Sequence, residues 1–80
     1  LASSAGRDRF VRNVVCAIGN SGDAALASAA LTLLNDNSPL VRGMAVWALR
    51  RLLDGSVFQR LKSQRAAHEQ DAGVAREWAA

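Results

Sequence analysis

The sequence predicts an all-α fold of stacked helical hairpins, an α-solenoid piece of about five helices. Three observations lead there. Phe10 to Asn20 reads FVRNVVCAIGN, and about thirty residues later Leu40 to Arg50 reads LVRGMAVWALR, so one helical unit is written twice. Apolar residues recur at helical spacing in each segment, and no segment alternates as a strand would. Gly, Pro, Asn and Asp clusters punctuate the chain at short intervals, which fits helices joined by tight turns.

Each element follows from its own residues. Val11, Val14, Val15 and Ile18 form one stripe and predict a first helix over Asp8 to Ile18. Gly19 is expected in the left-handed position at its end, with Ser21-Gly22 as a tight turn. Asp23 caps the second helix, which runs to Leu34 and buries Leu26, Ala30, Leu33 and Leu34. Asn35-Asp36-Asn37-Ser38-Pro39 is the clearest break: Ser38 suits the N-cap, and Pro39 the first helical position, where no N–H is needed. The third helix, Pro39 to Leu53, buries Val41, Met44, Ala45, Ala48, Leu49 and Leu52. Asp54-Gly55 ends it. Ser56 with Gln59 predicts a capping box for a fourth helix that buries Val57, Phe58 and Leu61. Asp71 to Trp78 begins a fifth. The expected continuous core is Val11, Val15, Ile18, Leu26, Leu33, Val41, Ala45, Leu49 and Leu52.

The bulk numbers narrow the function. At 80 residues the chain is a single small domain, near the lower limit for burying a core. It opens without Met and ends on what reads as the start of a helix, so the sequence reads as a fragment cut from a longer protein. Its ten basic residues, nine of them arginine, against seven acids give a net charge of +3, a balance that suits an acidic partner such as nucleic acid. Cys16 is the one cysteine, so no disulfide framework forms within the chain, and a cytoplasmic setting fits. No apolar run reaches membrane-spanning length. Catalytic and metal-binding residues are expected to be absent: His68 has no ligand partner at useful spacing, Cys16 reads as a small packed thiol, and no Ser-His-Asp set or phosphate loop is present.

The second helix, the Asp-x-Ser-Pro turn and the Val-Arg-headed third helix, carried by DNSPLVRGMAVWAL, resemble a HEAT repeat. A weaker copy follows as DAGVAREWAA, in which Val74 matches Val41 and Ala75 replaces the arginine. The more particular combination, RNVVCAIGNSGD followed by SPLVRGMAVWALRRL, resembles the C-terminal HEAT-like region of epoxyqueuosine reductase, an iron–sulfur and cobalamin oxidoreductase that completes queuosine in tRNA. The resemblance covers roughly Arg9 to Leu53. It implies a substrate-docking module that holds tRNA beside the catalytic domain of the parent chain, in which the [4Fe–4S] clusters and cobalamin reside. One cysteine cannot supply the thiolates of such clusters, so this segment is expected to hold no cofactor and to perform no reduction.

The candidate contacts are surface residues. Arg12 and Arg42 occupy the same place in the two units and would stand as two rungs on one face, suited to bidentate contact with phosphates. Arg9 and Arg50 would extend that patch, and Arg51 adds to the basic surface of the third helix. Asn13 and Asn20 are the polar residues most particular to the motif, Asn20 at an exposed helix junction. Arg9, Arg12, Asn13, Asn20, Arg42 and Arg50 therefore form the expected nucleic-acid-binding set. Each has a plainer alternative. Arg42 is placed to pair with the turn carboxylate of Asp36, any single arginine suits a solvated helix face, and Trp47 suits either a stacked base or a neighbouring helix. The rival function is a HEAT-type module for protein–protein interaction or an intramolecular scaffold, with no nucleic-acid role.

Overall fold

The computed structural model describes residues 4–80. Five α-helices form, with no strand among the described residues: α1 (Ser4–Ser21), α2 (Ala27–Leu33), α3 (Pro39–Leu52), α4 (Gly55–Arg65) and α5 (Ala72–Ala79). Short 3-10 turns at Ala24–Leu26 and Ala66–His68 lead into α2 and follow α4. No described helix is long and apolar enough to cross a membrane. The molecule measures 41 × 28 × 18 Å.

Helix α3 is the centre, packed against α1, α2 and α5. Its sequence explains that position. Val41, Ala45, Val46, Ala48 and Leu49 are all buried, so its apolar surface extends beyond the single stripe that one neighbour would cover. Val15 of α1, Ala27 and Ala30 of α2, Phe58 of α4, and Val74 and Trp78 of α5 close around it in one cluster. The alanines let backbones approach, while Phe58 and Trp78 fill the far end with ring centroids 5.6 Å apart.

Of the expected core, Val15, Ala45 and Leu49 are fully buried, and Val41 is 1% exposed. Val11, Leu33 and Leu52 are half-buried against the cluster, and Ile18 is half-buried. Leu26 is a correction: it stands exposed. The Asp23 carboxylate accepts the Ala25 N–H at 2.9 Å, and the turn it caps is 3-10. That tighter winding carries Leu26 off the α2 stripe. Val14 and Val57 are likewise exposed, whereas Val46, outside the predicted stripe, is fully buried because α3 has neighbours on several sides.

Three local expectations change with the geometry. Gly19 does not end α1; it lies inside the helix and is buried, and Gly22 (φ 69°) takes the left-handed position instead. Gly19 is needed for close approach, since a Cβ there would sit 2.4 Å from the Trp47 ring. Gly19→Val is expected to cost about 1–3 kcal/mol by overpacking, read as a lower urea midpoint together with a changed Trp47 fluorescence. Ser38 occupies the N-cap position, but its hydroxyl donates to Asp8 at 3.0 Å, and the Asp36 carboxylate accepts the Ser38 N–H. The Ser56–Gln59 capping box is replaced: Asp54 takes the N-cap position, α4 starts two residues early at Gly55, and the Ser56 hydroxyl donates to Asp54 at 2.7 Å. Asp71, expected as the first residue of the fifth helix, is instead the N-cap of α5, its carboxylate accepting the Val74 N–H.

Candidate binding surface

Two carboxylates organise the ends of α3 and α5 in the same way. Asp36 accepts the N–H of Ser38, and Glu69 accepts the N–H of Asp71; each acid thus holds the residue two places on, at the N-cap of the following helix. An arginine from an earlier helix closes each arrangement. Arg42 reaches Glu69 through Nε and a terminal nitrogen, both at 3.0 Å, and its other terminal nitrogen donates to the Asp36 and Asn37 carbonyls. Arg7 reaches Asp36 at 2.6 Å. The Arg42 hydrogen bond holds the Glu69 carboxyl below its usual range, and the Arg7 hydrogen bond does the same for Asp36. When Val74 is aligned on Val41, Glu69 falls on Asp36 and Asp71 on Ser38, so the acid is a repeated element of the two units.

These contacts decide what each predicted arginine is free to do. Arg42 has four of its five N–H groups engaged and a side chain only 20% exposed. It faces inward, toward Glu69 and toward the Asp36 carbonyl rather than the Asp36 carboxylate. Arg50 is also engaged. Its terminal nitrogens donate to the Ala80, Glu77 and Trp78 carbonyls at the end of α5, where a cation meets the negative end of the helix dipole. Its guanidinium lies 4.9 Å from the Phe58 ring centre, and its Nε is buried without a partner. Neither arginine forms a rung beside Arg12.

The remaining four predicted residues stand together on α1. Arg9, Arg12, Asn13 and Asn20 are all exposed, and none makes a hydrogen bond or ion pair among the described residues. Helical geometry puts them in an arc of about 100°. Asn20 is free because its neighbour satisfies the junction: the Ser21 hydroxyl donates to the Ile18 carbonyl at 2.6 Å and accepts the Asp23 N–H at 3.1 Å. Arg51, by comparison, donates to the Gly19 carbonyl and covers the Trp47 ring at 5.2 Å, so it fastens α3 to α1. Trp47 meets a neighbouring helix.

Arg12 stands at the rim of a groove of about 540 Å3 between α1, α3 and α5. Leu40, Met44, Trp47 and Val74 give it an apolar floor, Cys16 lies along the α1 wall, and Asp71 and Glu77 stand on the α5 side. A second, polar recess of about 360 Å3 lies where the 35–37 loop meets the segment before α5, and His68 is an exposed part of its lining. Among the described residues no group of three His, Cys, Asp or Glu side chains is placed to hold a metal.

Sequence reasoning missed Arg7, Glu69 and the groove. Glu69 was findable, because Glu-x-Asp before Val74 repeats the Asp-x-Ser before Val41. Arg7 carried no such signal, since it lies outside the Val-Arg motif. No family model, curated protein or solved structure matches the chain.

Proposed function

We propose that the chain is a HEAT-like repeat segment that docks tRNA, of the kind found at the C-terminus of epoxyqueuosine reductase, with α1 as its contact helix. The observation that carries this reading is the unengaged polar arc of Arg9, Arg12, Asn13 and Asn20 on one exposed helix face. Two free guanidiniums supply phosphate contacts, and two free amides supply directional donors and acceptors beside them. The motif RNVVCAIGNSGD, which carries the resemblance, contributes Arg12, Asn13 and Asn20. The position of α3, packed against both α1 and α5, supports the repeat reading. Reduction of the epoxide, with its clusters and cobalamin, belongs on this reading to the parent's catalytic domain, and the protein works in the cytoplasm with tRNA as partner.

The test is tRNA binding across a salt series. An Arg9→Ala, Arg12→Ala double variant is expected to bind more weakly, and the slope of log K against log salt should lose about 1.4–1.8 as two phosphate contacts disappear. Unchanged affinity and slope in a folded double variant would refute it. Arg42→Ala belongs to a different class of outcome, since its loss acts on folding.

A second reading rests on the groove. Its apolar floor of Leu40, Met44, Trp47 and Val74 suits a protein segment, which favours the scaffold role if tRNA affinity proves weak and insensitive to salt.

A further inference from the structure

The polar recess of about 360 Å3 between the 35–37 loop, the end of α4 and the segment before α5 has an uneven hydrogen-bonding account. Asp36 and Glu69 are the two carboxylates in its lining, and all of their oxygens are taken. Asp36 accepts Arg7 through both oxygens and the Ser38 N–H through one. Glu69 accepts Arg42 through both and the Asp71 N–H through one. These two ion pairs cancel in charge.

The groups left over are mainly donors. Arg65, half-buried in the last turn of α4, makes no ion pair among the described residues. One of its terminal nitrogens donates to the Asn35 side-chain oxygen at 2.9 Å. That contact occupies the Asn35 oxygen and leaves its NH2 group to donate. The side chains of Asn37, His68 and Gln70 are exposed along the same lining, without a hydrogen-bond partner among the described residues. No acid stands between Asp54 and Glu69 in the sequence, so α4 supplies nothing to neutralise Arg65.

We propose that this recess binds the phosphate of a small phosphomonoester, with Arg65 as its main charge partner. Such a phosphate brings about two negative charges and three acceptor oxygens. That suits one uncompensated guanidinium set among amide and imidazole donors from three segments. A carboxylate offers two oxygens, and a phosphodiester one charge and two free oxygens, so both leave donors unused. Asn35 holds the Arg65 guanidinium without neutralising it, which leaves Nε and the other terminal nitrogen for a two-point contact. Val74 and Trp78 line the apolar side of the recess and suit the organic part of the ester. No residue of α1 lines it, so the site is independent of the tRNA reading.

The test is a titration at constant ionic strength with inorganic phosphate, adenosine monophosphate, its cyclic diester and adenosine. NMR of the side-chain amides and of the Arg65 Nε–H follows the binding. Inorganic phosphate and the monophosphate are expected to give saturable shifts at Arg65, Asn35, Asn37 and Gln70, whereas the cyclic diester and adenosine give none. Arg65→Gln should weaken monophosphate binding about tenfold or more. Gln70→Glu keeps the Arg65–Asn35 contact, adds a negative charge at the rim and should weaken binding as well. Arg60→Gln removes the same charge as Arg65→Gln from an exposed position on α4 and should leave binding unchanged. Equal losses in the Arg60 and Arg65 variants would overturn the proposal. So would a cyclic diester that binds as well as the monoester, shifts with inorganic phosphate alone, or no saturable shift.

Discussion

Leu49→Ala is expected to be among the most damaging single truncations in the chain, at about 2–5 kcal/mol. Leu49 is 0% exposed on α3, the helix against which α1, α2 and α5 pack. Deleting its branch leaves a hole that these neighbours cannot all collapse into, because closing it from one side opens a gap on another. A domain of this size has roughly 4–12 kcal/mol in total, so the variant stands near its folding limit. Urea unfolding followed by circular dichroism measures the loss. A fall of less than about 1 kcal/mol would mean that α3 is not the packing centre.

Breaking the Arg42–Glu69 pair comes second. Arg42→Ala removes a two-point contact to a carboxylate and two hydrogen bonds to the Asp36 and Asn37 carbonyls, and leaves Glu69 with its backbone contact alone. A loss of about 1–3 kcal/mol is expected, the range for hydrogen bonds to charged groups that are partly shielded from water. The pair also fixes a pH dependence. Glu69 has its folded-state pKa lowered, chiefly by the Arg42 hydrogen bond, from an ordinary value of 4.5. Its contribution is therefore complete above that value and is lost as pH falls through the lower folded-state value. Asp36, lowered chiefly by its Arg7 hydrogen bond, acts in the same direction. Wild-type stability should decline in acid below about pH 4.5, and Glu69→Gln should flatten that decline while lowering stability at neutral pH. An acid limb equally steep in both proteins would contradict the assignment.

How far the sequence carried the fold depended on whether the deciding interaction was local. Asp23 was legible as a cap because a cap is set by residues two or three places away. Pro39 marked the start of α3 for the same reason. Gly19 was misread because glycine after a helical stripe suggests a helix end. What decides its role is the Trp47 ring, which belongs to another helix. Leu26 matched the α2 stripe in spacing, but a 3-10 turn changed the angle per residue just where it stands. At the surface, Arg12 and Arg42 are equivalent in sequence and differ in fate. Glu69, 27 residues from Arg42, takes one of them inward. Asp36, in the matching place for Arg12, is taken by Arg7 instead, which leaves Arg12 on the surface. Local pattern could place both arginines on their helices; only the partner's position could separate them.

The central claim, that tRNA meets this chain on α1, is tested most directly by titrating tRNA into the isotopically labelled protein and following amide and arginine side-chain signals by NMR. The account predicts that Arg9, Arg12, Asn13 and Asn20 shift together and that Arg42 and Arg50, held by their internal partners, stay in place. Shifts centred on the groove residues Leu40, Trp47 and Val74, or no shifts at all, would contradict it.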